Sequence, residues 1–215
     1  MKRTILGGVL WTAAFGVVHS LLAGEPAKGT FRRRFGDRAF NGFYRIGFNL
    51  LALLSFAGLV GRFRGLSGRT LYEVPRPWSI FLRFLQMCAV VMALDANIRI
   101  GLGRMLGVQG AWEWVRGETP IVQNPAQGPQ LTDNRSFRTG GSFRLTRHPN
   151  NLVPVILFWA NPRMTLRFLV FTAGSTIYLV VGSVHEERRL TNVYGRRYSR
   201  YRRGTPFFLP RLSIR

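Results

Sequence analysis

Apolar stretches at residues 4–23, 43–60, about 79–97 and 164–184 each approach or reach the ~20 residues that carry a helix across a bilayer. They lie in a chain of 215 residues that is 47% hydrophobic yet carries a formal net charge of +22. A compact water-soluble domain rarely combines those two properties, whereas apolar spans joined by basic loops do so naturally. The expected fold is an all-α polytopic membrane protein. The first run follows Lys2 and Arg3 as a signal peptide's would. It is long for an h-region, and Gly24-Glu25-Pro26-Ala27 departs from an Ala-x-Ala cleavage site, so it is read as a retained span.

Arginines and lysines in such numbers can also neutralise nucleic-acid phosphates. Here they flank apolar spans, where anionic lipid headgroups are the nearer partner, and no nucleic acid is expected. The one cysteine, Cys88, lies inside an apolar run, which excludes an intrachain disulfide and a multi-cysteine metal site. No metal is expected.

Arg147-His148-Pro149 precedes a short apolar run that stops at Asn161-Pro162, because proline cannot continue a helix and restricts the residue before it. The chain must turn there and return through residues 164–184 to Glu186-Glu187. At ~1.5 Å per residue, the twelve residues 149–160 cover only about 18 Å of a hydrocarbon core near 30 Å, so this arm crosses incompletely or leans on neighbours. A hairpin nevertheless brings Arg147-His148 and Glu186-Glu187 to one membrane face. About five transmembrane segments result, the Pro-turn hairpin included. In that arrangement 21 loop Lys and Arg residues fall on one side and 7 on the other, which predicts a cytoplasmic C-terminus.

Pro149 suits the first turn of a helix, and the positive end of that helix beside Arg147 and His148 favours an anion. Glu186 and Glu187 lie near a helix C-terminus, an unfavourable place for negative charge, so they call for a cationic partner. One ligand bearing both signs would satisfy both ends. Beyond the glutamates, Leu190, Tyr194, Tyr198 and Tyr201 recur at helical spacing among arginines, which predicts an interfacial amphipathic helix with its guanidinium groups on anionic headgroups.

The ordered series Arg147-His148-Pro149, Glu186-Glu187, Leu190, Tyr194-Gly195, Tyr198, Tyr201 and Pro206…Pro210 resembles the C-terminal signature of the isoprenylcysteine carboxyl methyltransferase and phospholipid methyltransferase superfamily. The resemblance runs from about Gly140 to Pro210. It implies a methyltransferase that uses S-adenosylmethionine, bound by Phe143, His148, Pro149, Asn150, Asn151, Glu186 and Glu187. Many relatives have Tyr in place of Phe143 and of Asn151, so two phenolic contacts are absent, and Asn151 can replace one hydrogen bond. Further upstream, His19-Ser20, Tyr44-Arg45 with Asn49, and Leu106-Gly107-Val108-Gln109 resemble the NnrU-like branch and the bacterial methanethiol S-methyltransferases. The run from Phe158 to Thr165 looks most like the latter.

These features give one integral membrane domain over 1–215: N-terminal spans in 1–98, a cytoplasmic connector in 99–149, and a donor-binding hairpin and tail in 150–215. Its location would be a bacterial inner membrane. The reaction would be methyl transfer to a small or lipophilic acceptor such as a thiol or an isoprenylcysteine-like carboxylate, which needs positioned reactants rather than a nucleophilic triad. His19 and Arg147 are the candidate catalytic residues. His19, near the end of the first span, would serve the acceptor, and Arg147 would favour a thiolate. The alternative is a non-catalytic NnrU-like membrane factor in a respiratory or nitrogen-oxide pathway.

Overall fold

A computed structural model of the chain describes residues 2–64, 68–122, 128–129, 137 and 139–209. The run Thr132-Asp133-Asn134-Arg135-Ser136, whose composition reads as a loop, and Pro210 lie outside these residues. In chain order come α1 (Lys2–Ala23), α2 (Glu25–Ala39), a π-helical turn (Phe40–Tyr44), α3 (Arg45–Arg64), β1 (Thr70–Glu73) and α4 (Trp78–Ile100). There follow α5 (Leu102–Leu106), α6 (Val108–Val115), α7 (Ser142–Leu145), α8 (Pro149–Trp159), β2 (Arg163–Thr165), α9 (Leu166–Tyr194) and α10 (Arg196–Gly204). Among the described residues, four helical stretches are long and apolar enough to cross a membrane: Ile5–Ala23, Glu25–Arg64, Trp78–Ile100 and Leu166–Tyr194. They are apolar nearly all round, and large side chains such as Leu10, Leu53, Phe84 and Ile177 stand exposed along them. Lipid is the solvent such helices fit. The fold is all-α and polytopic, and α8 is the short arm anticipated before the Asn161-Pro162 turn.

Two local outcomes differ from the sequence expectation. Residues 24–42, which join the first two apolar stretches, are largely helix. Glu25 and Pro26 at the first turn start α2 well, and Gly36, at φ 80° and ψ 164°, kinks it before the π-helical turn. A small antiparallel ribbon also forms, pairing Thr70 with Thr165, Tyr72 with Met164 and Glu73 with Arg163.

The chain divides into two compact units. One comprises Met1–Glu73, Gly103–Gln123 and Arg163–Tyr178. Here glycines let α1 and α9 approach closely: a Cβ on Gly16 would lie 3.0 Å from the Tyr178 ring, and one on Gly174 2.9 Å from Thr12. The start of α3 is tied to the last residues of α5. Arg45 Nε donates to the Met105 carbonyl at 3.0 Å, and Asn49 Nδ2 donates to the Met105 and Leu106 carbonyls. Gly107 has φ +86°, and a Cβ there would meet the Ile46 backbone at 2.5 Å, so glycine is required.

The second unit comprises Val74–Leu102, Asn124–Pro162 and Leu179–Arg215. Its α4 and α8 pack together, Gln86 Nε2 donating to the Leu157 carbonyl at 2.9 Å. Asp95 and Arg99 form the ion pair that their four-residue spacing implies, Nε to Oδ1 at 2.8 Å. Asp95 also accepts the Ser142 backbone N–H at 2.6 Å, which fixes the start of α7. The preceding Gly141 has φ +56°, with the Asp95 and Arg99 side chains where a Cβ would stand.

Candidate functional site

The site begins with the entry to α8. Proline at the first helical position loses no hydrogen bond, so the helix starts at Pro149 with His148 as its N-cap. Thr146, extended at φ −150°, ends α7 and turns its hydroxyl to the Phe207 carbonyl at 2.8 Å, while Arg147 N–H donates to the Pro206 carbonyl at 3.0 Å. The C-terminal tail is thereby laced to the segment that carries Arg147 and His148.

The last turns of α9 supply the acidic side. His148 Nδ1 lies 3.1 Å from Glu186 Oε2, and its Nε2 lies 3.2 Å from Glu187 Oε1. One imidazole is thus held at both nitrogens, and the Phe207 ring lies 4.9 Å from its centre. Arg147 Nε donates to the same Glu187 Oε1, and its Nη1 donates to the Arg202 and Thr205 carbonyls at 2.7 Å each. His148 is 3% exposed, Glu186 7% and Glu187 9%, so these contacts operate largely out of water.

Burial by itself disfavours the charged imidazole. The hydrogen bonds and charges of Glu186 and Glu187 outweigh it, and the His148 pKa is raised above its ordinary value. With that proton on, His148 and Arg147 face the two carboxylates and Arg202 Nη1 stands 3.8 Å from Glu187 Oε2, so the cluster carries no excess negative charge. Burial, reinforced by the Glu187 charge, pushes the Tyr198 phenol far up, so it stays a neutral hydroxyl.

The chain is similar to bacterial methanethiol S-methyltransferases. It is 31% identical to the Pseudomonas deceptionensis enzyme over 121 residues, which cover 56% of this chain and 42% of that one. It is 41% identical to methanethiol S-methyltransferase 2 of Bradyrhizobium diazoefficiens over 81 residues, covering 38% and 31%. With methanethiol S-methyltransferase 1 of the same organism the identity is 28% over 209 residues, or 97% of this chain and 67% of that protein. The matches span less than half the length of the first two relatives. No family model matches the chain, and no solved structure matches it.

Four of the residues singled out from sequence, Arg147, His148, Glu186 and Glu187, meet in one cluster. Asn151 Nδ2 donates to Ser183 Oγ at 2.8 Å, one turn before Glu186, and Asn97 Nδ2 approaches Asn150 Oδ1 at 3.4 Å. Pro149 is buried at the helix start. Phe143 is 0% exposed, and its carbonyl accepts the Tyr201 hydroxyl at 2.7 Å. The N–H groups of Asn151 and Leu152 already donate to the His148 carbonyl, so the first turn of α8 offers an anion fewer donors than the motif suggests. His19 belongs to the other compact unit, on α1.

Sequence reasoning placed Tyr198 and Tyr201 at the lipid boundary. They are 0% and 8% exposed, packed with Leu190 and Phe137 beneath α10, because Phe137 supplies an aromatic face that no helical period reveals. It also missed Thr146, Thr205 and Phe207, which carry the tail onto the site. Ser183 had a readable signal, a small polar residue three positions before Glu186 in an apolar run.

Proposed function

We propose that the protein is an S-adenosylmethionine-dependent integral membrane methyltransferase whose donor site is built on Phe143, His148, Pro149, Asn150, Asn151, Glu186 and Glu187, with Arg147 beside it. Its face of the membrane is the cytoplasmic one, and its acceptor is a small or lipophilic thiol. The carrying observation is the buried cluster in which His148 bridges Glu186 and Glu187 while Arg147 binds Glu187 and the tail. The names of the relatives support transfer of a methyl group over the NnrU-like, non-catalytic reading.

The donor set suits this cosubstrate. Glu186 and Glu187 offer acceptor oxygens to its ammonium and hydroxyl groups, and the buried Tyr198 hydroxyl, which has no hydrogen-bond partner among the described residues, is a group a polar ligand can satisfy. When bound, S-adenosylmethionine supplies a methyl group on a positively charged sulfur. The chain's own task is to hold and exclude. Glu186 and Glu187 hold His148 in place, and Arg147 binds Glu187 and fixes the tail that screens the cluster from water. Pro149 sets the direction of α8, from which Asn150 and Asn151 present their amides. Methyl transfer from a sulfonium is an in-line displacement, for which positioning in a water-poor pocket is the main requirement.

Calorimetric titration with S-adenosylmethionine tests the site. Glu186→Ala and His148→Ala are expected to weaken binding at least tenfold while the helical circular dichroism persists. Unchanged affinity in both variants would overturn the assignment.

A further inference from the structure

Within the second unit, the Ser183 hydroxyl on α9 stands against α8 and is 0% exposed. Its Oγ donates to the Leu179 carbonyl one turn back, at 2.8 Å. A serine hydroxyl carries a single proton, so once that proton is committed to the helix only lone pairs remain for a neighbour. The bond to Asn151, also 2.8 Å, is accordingly donated by the asparagine Nδ2. The direction of the first bond sets that of the second, and bonds chained in this sense polarise one another. Asn151 is thereby held with its amide nitrogen against α9 and its carbonyl oxygen on the other arm of the amide.

That oxygen, Oδ1, accepts no hydrogen bond among the described residues. Asn151 is half-buried in the first turn of α8, three residues beyond His148, and Ser183 precedes Glu186 on α9 by the same interval. Since His148 meets Glu186, the open acceptor belongs to the region of the donor-site residues. Turning the amide over to offer its NH2 group would set Oδ1 against the Ser183 lone pairs or force the hydroxyl off Leu179. The side chain is therefore an acceptor of fixed sense. A carboxylate, which brings only lone pairs, is refused there, whereas an ammonium, hydroxyl or amine brings the N–H or O–H that the oxygen needs.

We propose that Ser183 is a positioning residue of the donor site: it holds Asn151 as a hydrogen-bond acceptor for an N–H or O–H group of the bound ligand. The inference rests on the donor-site reading above and adds the polar sense of one contact and the residue that sets it. S-adenosylmethionine carries such groups at two places, the ammonium of its amino-acid end and the hydroxyl and amine groups of its adenosine end. Asn151 can serve either, and neither its amide nor Ser183 takes a charge or moves a proton in doing so. Loss of Ser183 leaves the acceptor present but free to turn, which weakens the contact without deleting it.

The test uses the full chain in detergent, with calorimetric titration of S-adenosylmethionine and helical circular dichroism on every variant. Asn151→Leu deletes the acceptor and should lower affinity about tenfold, and Ser183→Ala about fivefold, as the loss or loosening of one hydrogen bond implies. Because Ser183 acts through Asn151, the double variant should match Asn151→Leu within about twofold. Asn151→Asp keeps an acceptor and has no N–H to offer, so it should bind at least about fivefold more tightly than Asn151→Leu. Wild-type affinity in Ser183→Ala, a double variant weakened by the product of the single effects, or Asn151→Asp binding no more tightly than Asn151→Leu would each overturn the proposal. Methylthioadenosine, which lacks the ammonium-bearing end, locates the ligand group. A Ser183→Ala loss shared by it assigns the adenosine end, a loss confined to S-adenosylmethionine assigns the ammonium, and either supports the proposal. Absence of S-adenosylmethionine binding by the wild type would instead overturn the donor-site reading on which the inference rests.

Discussion

Replacing Arg147 by Met keeps the length and apolar stem of the side chain and deletes one guanidinium. The lost contacts are the Nε bond to Glu187 and the two Nη1 bonds to the Arg202 and Thr205 carbonyls. Glu187 is 9% exposed, so its carboxylate would be left largely buried with His148 as its closest remaining partner. Removing one member of a buried pair costs about 3–5 kcal/mol. The Arg202 carbonyl can rehydrate because its surroundings are exposed, and the Thr205 carbonyl, which is part-buried, adds roughly 1 kcal/mol. A total of about 4–6 kcal/mol is expected, on the order of 10³–10⁴-fold in the folding equilibrium. Unfolding by titration with a denaturing detergent, followed by circular dichroism, measures it. The double variant with Glu187→Gln removes the stranded charge and should recover about 2 kcal/mol of the sum of the single effects. A cost below about 1 kcal/mol for Arg147→Met, or additivity within about 0.5 kcal/mol, would refute the view that Arg147 supports the cluster.

Two further outcomes follow from the same contacts. The folded-state pKa of His148 is raised, so its contribution to stability is complete below the ordinary histidine value and is lost as pH rises through the folded one. The melting temperature of the wild type should therefore fall across that window relative to His148→Gln, and parallel profiles for the two proteins would refute the charged imidazole. Tyr201→Phe strands the buried Phe143 carbonyl and should cost about 1–3 kcal/mol in the same detergent titration, whereas a neutral effect would show that the bond is dispensable.

The membrane architecture was legible because its cause is local: apolar length marks the spans, and Pro149 and Pro162 mark where α8 begins and where the chain turns back. The hairpin then dictates that His148 approaches Glu186 and Glu187, and no distant information is required. Helix α2 was not legible, since Gly29, Gly36 and the Arg32-Arg33-Arg34 run read as loop while the glutamate and proline at its start act as a helix initiator. The four-residue strand β1 carries too little pattern to be read, and it exists only because β2 lies opposite it. The burial of Tyr198 was hidden for another reason. Its partners Leu190 and Phe137 are separated from each other by more than fifty residues, and a helical period says which residues share a face, never what that face meets.

His148 is gripped at both ring nitrogens by carboxylates that stand side by side on one helix, and this limits what the ring can do. Turning the ring over would break two contacts at once, and passing a proton onward would require a nitrogen that is already committed. It is therefore a strut that carries charge rather than a relay. The proton released by an acceptor must leave by another route, and changes in the rate with pH would report groups other than this histidine, however central it looks in the motif.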